Sequence, residues 1–245
     1  MSSEAGKELI IALYEKGMVR TWFRHRPEGW KLISGLWSPF YIQLREISSF
    51  PELLRLAGAS LGALIKSSMP DTARLVGIAF AGIPIAVAAS LASGIPAAMT
   101  RKIEGVKTLE QLQAEIGRYG QHALVEGEFA DGDRVVLVDD LVTRFDSKLI
   151  AAAQVEHEMR RRGLKDIVCH DVAVLVDREQ GAAAAAGEKG FNLHALVPLK
   201  SKGLEWLREV MDPLEHEVIT DYLEDAQRYQ DEKLQQDLIA RAKRA

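Results

Sequence analysis

The feature that most constrains the fold is an alternation of short apolar runs with helical segments in the middle of the chain. The run 75–80 is apolar and bounded by turn signals, 82–94 is Ala-rich and helical, and 95–99 is again strand-like. A second unit follows over 134–177 and contains a predicted helix at 147–162. Continuous apolar strands separated by helices predict an α/β fold, with a doubly wound, mostly parallel sheet covered on both faces.

Composition narrows the class of protein. The chain has 245 residues, of which 47% are hydrophobic and 27% charged, an ordinary balance for a soluble α/β domain. A net charge of −4 gives no global basic field, so we expect no nucleic-acid partner. Cys169 is the only cysteine, which excludes an intrachain disulfide and favours a reducing cytoplasm. The N-terminus lacks a signal pattern and no apolar run is long enough to span a membrane, so we expect a cytoplasmic protein without a membrane partner.

The predicted strands end in polar or charged residues. In doubly wound sheets, ligands bind beyond the carboxyl ends of the strands. This rule predicts a single rim that carries Phe80-Ala81, Arg101-Lys102, the segment 139–147 and Asp177-Arg178. These strand ends therefore form one candidate site.

The stretch "VVLVDDLVTRFDS", residues 135–147, carries the clearest chemistry of this rim. Asp139 and Asp140 are adjacent carboxylates, and Thr143 and Ser147 follow at the start of a predicted helix. Carboxylates can hold ribose hydroxyls or a Mg²⁺-bound diphosphate, while the N–H groups of a helix N-terminus bind a terminal phosphate. The motif suits a phosphorylated sugar, but aspartates at strand ends also cap helices, and the motif alone favours neither interpretation.

Several segments together resemble one known family. The strand "RVVLVDDLVT" resembles the phosphoribosyl-diphosphate (PRPP) motif of type I phosphoribosyltransferases. Further segments, in the same chain order, are similar to segments of orotate phosphoribosyltransferases: "WKLISGLWSPFYIQLR", "GIAFAGIPIA", "MTRKIEG", "HALVEGEFADGDRVVLVDD" and "DREQGAAAAAGEKGFNLHAL". The resemblance covers roughly residues 9–210, and ordered matches are more specific than any single motif.

The resemblance implies a type I phosphoribosyltransferase fold with additions at both ends. The segment 1–70 would form an N-terminal helix and a hood that covers the base, 71–200 the phosphoribosyltransferase core, and 201–245 a helical C-terminal tail. The family forms dimers in which the lid and the Arg-Lys pair contact the neighbour's site, so a homodimer is implied. The implied cofactor is Mg²⁺, bound with the diphosphate of PRPP.

The resemblance also implies roles for individual residues. The residues expected to bind the base are Lys31, Phe40, Tyr41, Thr143 and Arg178. Those expected to bind PRPP are Arg101, Lys102, Asp139, Asp140, Thr143, Arg144 and Ser147. The expected catalytic residues are Asp139, Asp140, Lys102 and Arg118, and no side chain is assigned as a direct metal ligand. Simpler interpretations stay open, namely a solvated surface pair for Arg101-Lys102 and a half-buried core pair for Phe40-Tyr41.

The phosphate loop departs from the family pattern. The family has glycine and a small residue after the motif Thr, because glycine lets several N–H groups point at one phosphate. This chain has Phe145 and Asp146 instead. We expect Asp146 to cap the following helix and to repel a phosphate, with Arg144 as the cation that would offset this repulsion.

The lid departs as well. The polar, Gly-rich segment between the two βαβ units has the composition of an active-site lid and is predicted to hold a short helix over 107–116. Gly117 stands where the family has its lid lysine, and Arg118 follows where the family has aspartate. Arg118 or Lys107 would then supply the positive charge that the lid lysine supplies in the family.

Two functional hypotheses follow. The first is an enzyme that transfers phosphoribosyl from PRPP to orotate or a related base and releases diphosphate. The alternative is a catalytically degenerate relative that binds a pyrimidine or nucleotide as a regulatory or structural dimer, and the altered loop and lid motivate it. A dehydrogenase is disfavoured because no G-x-G-x-x-G follows a predicted strand, and a zinc site is disfavoured because the histidines lack ligand spacing.

Overall fold

The computed structural model describes residues 2–32, 34–119 and 122–243, with the backbone alone for Ser2 and for residues 117–119. The strands in these ranges are β1 (Val19–Thr21), β2 (Trp30–Lys31), β3 (Trp37–Ser38), β4 (Phe40–Ile42), β5 (Arg74–Gly77), β6 (Ala97–Thr100), β7 (Val125–Glu126), β8 (Arg134–Val142), β9 (Val168–Asp177) and β10 (Asn192–Pro198). The helices are α1 (Ser2–Glu15), α2 (Pro51–Ser68), α3 (Gly82–Ser93), α4 (Leu109–Tyr119), α5 (Asp146–Arg161), α6 (Ala182–Glu188), α7 (Leu204–Leu207), α8 (Pro213–Glu224) and α9 (Glu232–Ala242). None of the helices in these ranges combines the length and the apolar character that a membrane crossing requires.

A six-stranded sheet in the order β10-β9-β8-β5-β6-β7 forms the core, and only its edge strand β7 is antiparallel to its neighbour. The long apolar strands β8 and β9 lie at its centre, where both faces are covered. The doubly wound, mostly parallel sheet predicted from the alternation of apolar runs and helices is confirmed.

Alternate residues of β8 face opposite sides of the sheet, as strand geometry requires. Val136 and Val138 join the larger core with α1, α2 and α3, whereas Val135 and Leu137 join a second core with α5 and α6. Gly82, the first residue of α3, allows this helix to start directly against β8, because a side chain there would collide with the carbonyl of Val138. The start of α3 is thereby fixed beside the acidic pair.

The N-terminal segment and the C-terminal tail pack against each other and against the sheet. In the N-terminal segment, β1 pairs with β4 and β2 pairs with β3, both antiparallel. The Trp22 indole donates to the carbonyl of Leu238 in α9, and Phe40 packs edge-to-face on Tyr222 in α8. Residues of both segments therefore lie in the same hydrophobic cluster as one face of the sheet.

Candidate functional site

The acidic pair lies within β8 rather than beyond its end, because this strand continues to Val142. Asp139 is buried, with a relative exposure of 8%, whereas Asp140 is half-buried. Both oxygens of Asp139 are engaged: Oδ1 accepts the N–H of Asp140 at 2.9 Å and Oδ2 accepts Lys148 Nζ at 2.8 Å. Asp139 is thus held by protein donors, and Asp140 is the more exposed carboxylate of the pair.

The charge of Asp139 makes ionisation of the neighbouring Asp140 more costly. Asp140 Oδ1 accepts the N–H of Leu141 at 2.7 Å, which favours its charged form. Burial and then the charge of Asp139 outweigh this hydrogen bond and raise the pKa of Asp140 above its ordinary value. A ligand that donates hydrogen bonds to Asp140, such as a sugar diol, would stabilise its ionised form.

The phosphate loop does not have the conformation that its sequence led us to expect. Phe145 is buried in the core beside Phe191, with ring centroids 5.5 Å apart, so its side chain leaves the rim open. The expectation that Asp146 caps the helix is wrong: Phe145 occupies the N-cap position without a side-chain hydrogen bond, and Asp146 is the first helical residue. Within the described ranges, no protein acceptor takes the backbone N–H of Asp146 or Ser147. These two donors are free for an anion.

A cavity of about 300 Å³ lies between this loop, the end of β6 and the lid. Its lining includes Arg101, Lys102, Lys107 and Arg144, with Asp146 as the acidic exception. Thr143 and Ser147 complete the loop side of the wall. Four cationic side chains around one small cavity, next to free helix N–H groups, create a site with a preference for phosphate groups.

The acidic pair is not part of that cavity wall. The lining residues come from the ends of β5 and β6, the lid, the loop and α5. Asp139 and Asp140 lie in the adjacent strand, and the turn that joins β5 to α3, which contains a cis peptide at Ala79-Phe80, lies beside them. A ligand that contacts both the cavity and Asp140 must therefore extend along the end of β8.

The residues predicted to bind the base are divided between the core and the surface. Phe40 is fully buried, Tyr41 is half-buried and stacked on Trp30 with a centroid distance of 6.2 Å, and Lys31 is exposed. Arg178 follows β9 and lies over the Phe40 ring, with Cζ 4.6 Å from its centroid. The structure therefore brings Phe40, Tyr41 and Arg178 together and leaves Lys31 on the surface of the N-terminal segment.

Arg178 is the least satisfied polar group of this region. Its side chain is buried, with a relative exposure of 6%, and neither Nε nor Nη2 has a hydrogen-bond partner among the described residues. Burial lowers the pKa of Arg178 below its ordinary value. Unpaired donors on a buried cation cost free energy, and a planar anion with two acceptors would remove that cost.

The lid packs on α5 of its own chain. Ile103, Val106, Leu112 and Leu124 form a small apolar cluster that also contacts Ile116, Ile150 and Ala153. Gln154 Nε2 donates to the carbonyl of Arg101 at 2.8 Å, at the point where the lid starts. These contacts place Lys107 at the cavity, whereas the side chain of Arg118 lies outside the described residues.

Lys148, Gln154 and Ile150 were not among the functional residues predicted from the sequence. A signal was present, because Lys148 and Gln154 lie on the same side of α5 as its buried residues Ala151, Val155 and Met159. Polar residues on the buried stripe of a helix need internal partners. For Lys148 that partner is Asp139, and for Gln154 it is the root of the lid.

The donor set gives no resident metal centre. Within the described residues, no group of three or more His, Cys, Asp or Glu side chains is arranged to hold a metal ion. Asp139, one of the two carboxylates of the motif, is already neutralised by Lys148. A divalent cation at this rim would have to be held mainly by ligand oxygens.

Comparison with known proteins identifies relatives over most of the chain, although no protein-family model matches it. The orotate phosphoribosyltransferase of Caenorhabditis elegans is 30% identical over 190 residues, which cover 77% of this chain and 75% of the relative. The orotate phosphoribosyltransferase of Thermococcus gammatolerans is 31% identical over 194 residues, or 79% of this chain and 89% of the relative.

Solved structures agree with these relatives. The UMP synthase of Leishmania donovani superposes with a TM-score of 0.70 at 27% identity, over 89% of this chain and 42% of that chain. The orotate phosphoribosyltransferase of Aeropyrum pernix superposes with a TM-score of 0.59 at 24% identity, over 82% of this chain and 97% of that chain, and supports the fold. With a relative of at least 30% identity over most of both chains, this chain belongs to the orotate phosphoribosyltransferase family.

Proposed function

We propose that the protein transfers the phosphoribosyl group of PRPP to orotate or a closely related base and releases diphosphate. The observation that carries this proposal is Arg178, a buried guanidinium of which two nitrogens have no hydrogen-bond partner in the part of the chain that the structure describes. Its neighbours are the Phe40 and Tyr41 rings and the strand that holds the acidic pair. Orotate is a planar anion, so a guanidinium fork against aromatic rings suits its carboxylate or carbonyl groups.

The chemistry of such a transfer needs positioning and charge stabilisation more than proton transfer. The basic cavity would hold the phosphate groups of PRPP through Arg101, Lys102 and Lys107. Asp140 would accept hydrogen bonds from the ribose hydroxyls and stabilise the positive character that develops on the sugar. Orotate is already anionic, and no general base is required.

Mg²⁺ would arrive as part of the substrate. Mg²⁺ retains several waters and binds readily through phosphate oxygens with few protein ligands. The half-buried carboxylate of Asp140 and the absence of a carboxylate cluster among the described residues suit a Mg²⁺–PRPP complex rather than a resident ion. The metal would reduce the charge of the departing diphosphate.

We also propose a cytoplasmic homodimer that associates through α3. Val87 and Leu91 lie one helical turn apart on α3 with exposed fractions of 42% and 85%, and Phe80 just before the helix is 71% exposed. Met99 at the end of β6 is exposed as well. Exposed apolar groups of this size on one helix are typical of an interface, and a second copy of the same surface would cover them.

A steady-state assay of diphosphate release tests this function. Asp140→Asn should reduce kcat by one to two orders of magnitude, because it removes a charge that stabilises the transition state. Arg178→Met should raise the KM for orotate far more than the KM for PRPP.

Asp71→Asn, at the opposite end of the sheet, and Arg55→Met, on the exposed side of α2, serve as controls and should retain wild-type rates. Binding of orotate without PRPP-dependent turnover in the wild type would instead support the degenerate alternative.

A further inference from the structure

Lys148 is a buried lysine that the proposed chemistry does not use directly. It lies in the first turn of α5 with a relative exposure of 3%. Its ammonium donates to Asp139 Oδ2 at 2.8 Å, to the carbonyl of Leu141 at 2.8 Å and to Ser147 Oγ at 3.3 Å. We propose that Lys148 is a positioning residue of the reaction, which binds Asp139 inside the fold so that Asp140 alone serves the ribose.

The hydrogen bonds of the ammonium define what it can do. A lysine has three N–H donors, and here three acceptors take them. Lys148 therefore has no donor left for a phosphate, although it lies next to the phosphate loop. Its charge acts on the acidic pair and on no ligand.

Three carboxylates, those of Asp139, Asp140 and Asp177, lie near the single ammonium of Lys148. Asp139 and Asp140 belong to β8, and Asp177 at the end of the adjacent β9 is buried and accepts the N–H of Glu179 at 2.8 Å. Burial raises the pKa of both Asp140 and Asp177, and the Lys148 charge opposes that rise at each. The single Lys148 ammonium thus partly offsets the rise in pKa at both of these carboxylates.

The two carboxylates of the motif, Asp139 and Asp140, therefore have different roles. Asp139 has both oxygens occupied by protein donors, whereas Asp140 is the more exposed of the two, although half-buried. Without Lys148, two adjacent carboxylates would repel each other, and one of them would retain a proton at higher pH. The carboxylate that would retain this proton is the one proposed to bind the sugar, so this inference rests on the proposed function.

A double-variant cycle tests the role of Lys148. The variants are Lys148→Met, Asp139→Asn and the combination of both, each assayed for melting temperature and for the pH dependence of kcat/KM for PRPP. We expect each single variant to melt well below the wild type, because it leaves one buried partner alone, and the combination to recover most of the loss.

The pH profile separates a positioning role from a merely structural one. We expect the acid limb of the profile to move to higher pH in Lys148→Met, where Asp140 loses a cation, and to lower pH in Asp139→Asn, where it loses a neighbouring anion. The combination should return close to the wild type. If Lys148→Met does not fold, the shift between Asp139→Asn and the combination gives the same comparison.

Carboxyl-carbon NMR titration of Asp140 provides a readout that does not depend on activity. Its midpoint should move in the same directions as the acid limb. An inactive wild type would overturn the proposed function and leave this titration as the test of Lys148. An active wild type whose acid limb and Asp140 midpoint are the same in every variant would overturn the role of Lys148 alone.

Discussion

Phe145 illustrates how a residue that breaks a motif can be accommodated by the fold. In the family pattern a glycine stands here, yet the Phe145 ring packs in the core beside Phe191 and contributes to the anchoring of the loop. Phe145→Ala should lower the free energy of unfolding by about 3 kcal/mol, because a buried aromatic side chain is removed. Urea denaturation measures this loss, and Phe145→Leu should lose less. Equal stability of Phe145→Ala and wild type would contradict the packing.

Asp146 differs from Phe145, because its carboxylate is exposed and lines the basic cavity. Asp146→Asn should strengthen the binding of ribose 5-phosphate several-fold, since it removes a negative charge near the bound phosphate. Isothermal titration at low ionic strength measures the change. Asp71→Asn is the matched control and should leave the affinity unchanged; weaker binding by Asp146→Asn would refute the repulsion.

Arg178 is expected to destabilise the free protein and to stabilise its complex with orotate. Arg178→Met should raise the melting temperature of the free protein, because a buried cation with unpaired nitrogens is replaced by an apolar side chain of similar length. The same variant should lose the stabilisation that orotate gives to the wild type in the presence of PRPP. A lower melting temperature of the free variant would show that Arg178 has a structural partner.

The location of a residue could be predicted from the sequence where its position at a strand end alone determines it. Strand ends fixed Arg101, Lys102, Thr143, Arg144 and Ser147 at one rim, and the structure places all five around the cavity. The neutralisation of Asp139 by Lys148 and the burial of Arg178 depend on which side chains face each other after packing. A single sequence carries only indirect signals of such contacts, such as a lysine on the buried stripe of a helix.

At the scale of elements, α5 connects the phosphate loop to both ends of the lid. Gln154 binds the first root of the lid, and Glu158, four residues later on the same buried face, binds the second. The buried Glu158 carboxylate accepts the N–H of Leu124 at 2.9 Å and pairs with Arg161 and Arg162 at 2.6 Å and 2.7 Å. A shift of α5 would therefore move the loop and the lid together.

Glu158 makes this connection dependent on pH. Burial acts to raise its pKa, but hydrogen bonds from Arg161, Arg162 and Leu124 outweigh it and lower the pKa to about 2. Since the folded pKa lies below the unfolded one, the ionised carboxylate stabilises the fold fully above the ordinary Glu range, and this stabilisation disappears as pH falls towards 2.

Glu158→Gln should accordingly lower the free energy of unfolding by roughly 2–4 kcal/mol at neutral pH. The difference from wild type should shrink between pH 5 and pH 3, as measured by denaturant titration at each pH. Glu156→Gln, on the exposed side of the same helix, should change stability little at any pH. If the difference in unfolding free energy between Glu158→Gln and wild type does not depend on pH, the assigned ionisation of Glu158 is wrong.

The order and type of the elements were predictable because apolar periodicity and Gly or Pro punctuation are local. The boundaries of the elements were less predictable. Strand β5 ends at Gly77, whereas the sequence predicted residue 80, and α4 spans Leu109–Tyr119, whereas the sequence predicted 107–116. The helix start at Asp146 differs for a tertiary reason, since burial of the Phe145 ring sets the geometry of the N-cap. Local capping preference was outweighed by core packing.

At the scale of the whole molecule, the exposed face of α3 is the feature that the single chain leaves uncovered. Leu91→Asp should convert a dimer into a monomer, because it places a charge in the centre of an apolar interface. Sedimentation velocity over a range of concentrations measures this change. Val210→Asp, at a partly exposed valine far from α3 in the sequence, is the control and should leave the assembly unchanged. If Leu91→Asp still forms dimers, the interface does not lie on the exposed face of α3.

The decisive measurement for the proposed transfer is product formation by the wild-type protein with PRPP, Mg²⁺ and orotate. We predict that orotidine 5′-monophosphate and diphosphate appear in a one-to-one ratio, and that omission of orotate abolishes diphosphate release. Saturable binding of PRPP and orotate without either product would contradict the assignment of this rim as a centre of phosphoribosyl transfer.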